Sequence, residues 1–402
     1  MNILKGRFIC TRVKDSLNFV MFWFLNRTLQ SMSYRCHQQR SSASRLLVVV
    51  AVVNVLLKQQ VCNAGVVSVF RQQSDGSRPL RNFVFDSNSR KLFVGEVNVI
   101  YKLSDNLQQD AAVMLGPHRD IVGCADTSSL SLDCTLADEP SDSDSQALVL
   151  DTDSEVLIAC GTLYYGSCAK INVADFSTAE YVYHPVVPND GRKSVTVVIA
   201  PGFTGSNVLY VGAAYSTRGD VTQKVGLFSV RDLQTFELAS VETSSSSSVH
   251  ILPAFQESFR MHFIRAFHFN NHVYFFFRRP SSLGSGEITS HVLRICTEDR
   301  HMRSIVELRL ECSANSVIYP YLRDMTLADF GPPEQMQGGA TMVGVFTGTA
   351  EDAGSSAVCF YRMADVELGF QTVIQNCFNG HGSKGPDYIV DSEICTDTVS
   401  CF

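Results

Sequence analysis

One unit recurs along this chain and limits what it can fold into: a short run rich in Val, Ile, Phe and Tyr, a turn, then a second such run. The instances are KLFVGEVNVIYKL (91–103), EVLIACGTLYYGSCAKI (155–171), NVLYVGAAYSTRGDVTQKVGLFSV (207–230), HVYFFFRRPSSLGSGEITSHVLRIC (272–296) and MVGVFTGTAEDAGSSAVCFYRM (342–363). β-branched and aromatic residues fill the runs, and Gly, Ser, Asp and Asn fill the joints, which is the signature of paired strands. The units return about every 50–70 residues, a spacing that suits the four-stranded blades of a β-propeller. A β-sandwich would show turn signals about every 8–12 residues. The expected fold is therefore all-β, with no long amphipathic helix. The polar stretches DEPSDSDS (138–145) and ETSSSSS (242–248) read as loops.

The first 64 residues differ from the rest. LLVVVAVVNVLL (46–57) follows Arg40 and Arg45 and precedes Cys62-Asn63-Ala64, in the order of basic flank, apolar core and small-residue cleavage site of a secretory leader. Twelve apolar residues make a helix of about 18 Å, short of a bilayer's hydrocarbon thickness. Left uncut, the segment would be a signal anchor. Residues 65–402 then form the mature domain. They keep 24 of the 33 Lys and Arg and 39 of the 40 Asp and Glu, a net charge of −15. So acidic a surface repels phosphate backbones, which excludes nucleic acid as the expected partner.

Of thirteen cysteines, Cys10, Cys36 and Cys62 lie in the leader. The ten that remain are Cys124, Cys134, Cys160, Cys168, Cys296, Cys312, Cys359, Cys377, Cys395 and Cys401. An even number in an exported chain points to disulfides. Within CGTLYYGSC (160–168) the cysteine spacing is neither the close pairing of a structural zinc site nor the C-x-x-C of a redox site. It suits a hairpin whose two strands bring the cysteines within bonding reach.

His262, His268 and His272 lie in an aromatic, strand-like stretch and read as sheet residues, not metal ligands. Asp151, Asp153 and Glu155 alternate as in a calcium loop, but Val156 stands where the turn glycine belongs, so a turn entering a strand is the better reading. Arg218-Gly219-Asp220 spells an integrin-type tripeptide between two expected strands. A propeller glycosidase would need paired carboxylates in one pocket, and no motif marks such a pair. No enzyme, cofactor or metal is expected.

FVFDSNSRKLFVGEVNVIYKLSDNLQQDAAVMLGP (83–117) resembles the first blade of a plexin sema domain, and CGTLYYGSC resembles the plexin segment more closely than the semaphorin one. SHVLRICTEDRHMRSIVELRLEC (290–312), AVCFYRMADVE (357–367) and NCFNGHG (376–382) are similar to the family in order and character, and FFFRRPSSLGSGEITSHV (275–292) leans toward B-type plexins. The resemblance implies a seven-bladed, disulfide-tied sema propeller over residues 65–402, incomplete on its C-terminal side because five units do not close seven blades. It also implies the pairs Cys124–Cys134, Cys160–Cys168, Cys312–Cys359, Cys377–Cys395 and Cys296–Cys401. It implies the extracellular head of a plasma-membrane receptor that binds semaphorins in guidance and cell-repulsion signalling, with a receptor dimer or co-receptor as further partner. The alternatives are a semaphorin ligand or the ectodomain of a Met-like receptor tyrosine kinase, with the glycosidase more remote.

Overall fold

In the computed structural model of the chain the described residues are 3–5, 7–9, 68–71, 78–123, 134–216, 225–242, 246–314, 316–330, 339–350, 354–389 and 395. Two compact units are present: Met1–Arg12 with Phe70–Phe402, and Val13–Val69, of which little is described. The first unit begins with two short strands, β1 (Ile3–Lys5) and β2 (Arg7–Ile9). A first meander follows: β3 (Asn82–Asp86), β4 (Lys91–Gly95), β5 (Val99–Leu103) and β6 (Gln109–Met114). The hairpin β7 (His118–Gly123) and β8 (Thr135–Ser141) leads to the second: β9 (Ser145–Asp151), β10 (Val156–Gly161), β11 (Cys168–Asn172) and β12 (Glu180–Val182). The third is β13 (Val195–Pro201), β14 (Asn207–Ala213), β15 (Phe228–Asp232) and β16 (Ser248–Val249). The fourth is β17 (His262–Phe269), β18 (His272–Pro280), β19 (Ile288–Cys296) and β20 (Val306–Glu311), with β1 added in parallel beyond β20. After the small hairpin β21 (Ser313–Ala314) and β22 (Val317–Ile318) come β23 (Tyr321–Asp329), β24 (Ala340–Thr347) and β25 (Ser356–Arg362), with β2 antiparallel on the β25 edge. Helix α1 (Met363–Phe378) closes the series.

The first strands of the five meanders, β3, β9, β13, β17 and β23, neighbour one another in that order, so the sheets stand side by side as blades of a β-propeller. Alternation along each middle strand explains why the sequence runs are so continuously apolar. On β10, Leu157 and Ala159 face the first blade while Ile158 and Cys160 face the third. On β18, Phe275 and Phe277 pack against the third blade and Tyr274 and Phe276 against the fifth. Both faces of these strands are interior, so neither can carry charge cheaply.

Helix α1 corrects the expectation that no long amphipathic helix is present. It runs for 16 residues and packs Met363, Val366, Phe370 and Val373 against the fourth and fifth blades, with Cys377 also buried. That spacing is helical, but the cap position is Arg362, which gives no side-chain cap bond. The stretch 138–145 is also not a plain loop. It ends β8 and opens β9, and the turn between is held by the Asn98 amide. The Asn98 Nδ2 donates to Asp142 at 2.6 Å, and its oxygen accepts from the Ser143 N–H at 2.6 Å. At the other expected loop, residues 243–245 lie outside the described residues. Ser247 is buried, donating to the Val230 carbonyl at 2.9 Å.

Between β10 and β11 the chain turns through three successive left-handed residues, Tyr164, Tyr165 and Gly166, with φ of 51°, 59° and 85°. Gly166 is required there. The Val186 and Val187 amides both donate to its carbonyl at 3.0 Å, and a Cβ on residue 166 would sit 1.8 Å from the Val187 oxygen. Left-handed strain and a backbone clash add, so Gly166→Ala should cost about 3 kcal/mol of stability in a denaturant titration. A loss under about 1 kcal/mol would show the turn to be slack.

Candidate recognition surface

The blades and their loops are held in place by covalent and electrostatic cross-links. Cys160 and Cys168 face each other in register on β10 and β11 and are bonded. Cys312, just past β20, is bonded to Cys359 on β25, which ties the fourth blade to the fifth. Cys377, at the end of α1, is bonded to Cys395. Cys134 and Cys296 are also disulfide-bonded. Cys124 and Cys401 lie outside the described residues. All four cysteines of the first two bridges are buried, which makes them cross-links and not reactive thiols.

Two charge networks, one buried and one half-buried, join residues far apart in the chain and were not visible in the sequence. Glu307 on β20 takes the Arg279 Nε–H at 2.6 Å on one oxygen, which also lies 2.6 Å from His291 Nδ1, and the Tyr388 hydroxyl at 2.6 Å on the other. Arg279 lies over the rings of Phe259 and Tyr388, 5.6 and 5.0 Å from their centroids. Burial alone would raise the Glu307 pKa, but Arg279 and the hydrogen-bond donors outweigh it and hold the carboxyl at about 2. Burial lowers the His291 pKa. This network fastens the segment 384–389 to the fourth blade. The Glu307 N–H donates to the Lys384 carbonyl at 2.9 Å and the Leu252 N–H to the Tyr388 carbonyl at 2.8 Å. In the second network, Glu367 on α1 accepts from Arg294 at 2.5 Å and from the Tyr274 hydroxyl, while Arg294 stacks 4.7 Å over Phe370. This network docks the helix.

The three histidines do not converge. His262 begins β17 opposite Arg278, whereas His268 and His272 sit at the other end of the β17–β18 hairpin, six residues or about 20 Å away along the strand. Burial and the nearby Arg294 hold the His272 pKa at about 4. Asp151 ends β9, and Asp153 and Glu155 fall in the turn that enters β10. Asp153 there accepts from Asn207 at 2.8 Å. No group of three or more metal-ligating side chains occurs among the described residues. Arg218, Gly219 and Asp220 lie outside them. The exposed apolar side chains include Val317 and Ile318 on β22, beside the Cys312–Cys359 bridge.

No protein-family model matches the chain. Among curated proteins, Plexin-B3 of Mus musculus is 26% identical over 321 residues, 78% of this chain and 16% of that protein. Plexin-A3 of Homo sapiens is 24% identical over 364 residues, 80% of this chain and 19% of that protein. The chain thus spans less than a fifth of the length of these relatives. Among solved structures, the full extracellular region of plexin A4 superposes with a TM-score of 0.65 at 21% identity, covering 80% of this chain and 38% of that one. Drosophila Semaphorin 1a, extracellular domains 1-2, superposes at 0.51 with 18% identity, covering 73% of this chain and 54% of that one.

Proposed function

We propose that the chain carries a sema propeller of the plexin type and is the ligand-recognising head of a cell-surface receptor for semaphorins. The observation that carries this reading is the agreement of the plexin relatives with the plexin A4 fold, each over about 80% of the chain. B-type plexins supply the first relatives, and the B-type leaning of residues 275–292 points the same way. The packing of the blades suits the role. They are interlocked through shared apolar layers, so the connecting loops are held in fixed relation and little ordering entropy is lost on binding a large protein.

Residues 1–64 serve in this reading as the export leader. Their excision would also remove β1 and β2, leaving β20 and β25 as the outer strands of the fourth and fifth blades. The mature domain then sits on the extracellular side of the plasma membrane. No helix among the described residues is long and apolar enough to cross a membrane. A receptor dimer or a co-receptor would complete the assembly.

Cells displaying the chain, incubated with a panel of soluble semaphorin ectodomains and read by flow cytometry, test the proposal. Saturable capture of one or two semaphorins is the expected result. Capture of a plexin ectodomain with no semaphorin captured would move the chain to the ligand side of the pair.

A further inference from the structure

A second feature of the Cys160–Cys168 hairpin has no part in the frame. The loop brings Tyr164 against Tyr181 of β12, against Tyr183 just past that strand, and against His118 and Asp120 of β7. The Tyr164 ring stands edge-on to Tyr181 and Tyr183, with centroids 4.8 and 5.1 Å away and interplanar angles of 84° and 76°. Tyr181 and Tyr183 lie two residues apart with their rings nearly parallel, 6.4 Å between centroids. The Tyr164 hydroxyl meets His118 Nδ1 at 3.1 Å. All five side chains are half-buried, so the cluster opens to solvent.

Asp120 gives this cluster its chemistry. One oxygen, Oδ1, accepts the Tyr164 N–H at 2.5 Å and the Ile121 N–H at 2.8 Å. The other, Oδ2, has no donor among the described residues, and none of their cations pairs with the carboxylate; the adjacent Arg119 turns instead to Asp138. Burial raises the Asp120 pKa, and burial first, with neighbouring tyrosines and the Asp120 charge adding to it, raises those of the Tyr164 and Tyr181 hydroxyls. A half-desolvated carboxylate beside the rings of Tyr164 and Tyr181, with Tyr183 packed on them, is an environment short of one positive charge. A hard metal ion would want six or more oxygens, which the cluster does not supply. An organic cation wants a carboxylate and ring faces, which it does.

We propose that Asp120, Tyr164, Tyr181 and Tyr183 form a recognition site for the cationic end of an arginine or lysine side chain presented by a protein partner. The site does not depend on the semaphorin reading. The full chain, with its tyrosine rings isotopically labelled, is titrated with Nα-acetyl-arginine amide and followed by NMR. The uncharged isostere Nα-acetyl-citrulline amide is the control. Saturable shifts of a few tyrosine signals with the arginine amide and none with the citrulline amide are expected. Asp120→Asn, which keeps Oδ1 for both amides, should weaken binding about tenfold. Tyr183→Leu, which leaves the Asp120 contacts intact, should remove part of the shifted set, and it carries the test if Asp120→Asn fails to fold. Lowering the pH should weaken binding, because the raised carboxyl pKa brings protonation of Asp120 at higher pH than for an ordinary aspartate. An equal response to the citrulline amide, no saturable shift, or unchanged affinity in both variants would overturn the proposal.

Discussion

A Glu307→Gln variant melts far below the parent protein and loses part of the acid limb of its stability profile. Glutamine fills the same space but keeps one acceptor oxygen of the two that Glu307 uses, so a loss reports the charge and the hydrogen bond it made, not volume. In the parent, Glu307 neutralises Arg279 in the interior of the fourth blade and anchors Tyr388 of the segment that covers it. Removing one partner of such a pair leaves the other charge buried and uncompensated, at a cost of about 3–5 kcal/mol. The pH dependence has a definite sign. The Glu307 pKa is held at about 2, below the ordinary carboxylate value of 4.5. Its contribution is therefore fully present above the unfolded-state pKa and is lost as pH falls from there toward 2. Denaturant titrations of parent and variant across that range check both parts. A variant within about 1 kcal/mol of the parent, with the same acid profile, would show that Glu307 is not the anchor.

The second large effect concerns the bridge between the fourth and fifth blades. A Cys312→Ala/Cys359→Ala double variant should lose about 4 kcal/mol, because the bond closes a loop across a sequence separation of 47. The equivalent change at Cys160 and Cys168, separated by 8, should cost only about 2.5 kcal/mol. The order of the two losses is the sharper test, since native-state strain shifts absolute values more than it reverses a ranking. Equal losses, or a greater one for the short loop, would mean that these bonds act mainly in the folded state and not through the unfolded chain.

How much of this was legible from sequence depended on how many faces of an element are buried. Each of the five sequence units marks the middle of a blade: β4–β5, β10–β11, β14–β15, β18–β19 and β24–β25. Most of these strands, such as β10 and β18, are covered on both sides, so their composition is unmistakable. Outer strands such as β6, with the sequence QDAAVM and mostly exposed, carry little apolar signal. Helix α1 escaped notice because its start has no capping side chain and its stability comes from packing of Val366 and Phe370, not from local propensity. Glu307 misled for a related reason. It alternates with Val306 and Leu308 as a solvent-facing residue would, but the segment 384–389, some eighty residues later, folds over it. The Cys160–Cys168 pair could be read from its own spacing. The longer-range pairs rested on family resemblance alone.

The central claim is that the ten cysteines beyond the leader form the frame of an exported, folded propeller. Mass mapping of peptides from the secreted chain, digested without reduction, tests it most directly. The account predicts an N-terminus just after Ala64, no free thiol, and linked peptides joining Cys160 to Cys168, Cys312 to Cys359 and Cys377 to Cys395, with Cys124–Cys134 and Cys296–Cys401 completing the set. Free thiols at Cys312 and Cys359, or a scrambled set of links in material that still melts cooperatively, would contradict it.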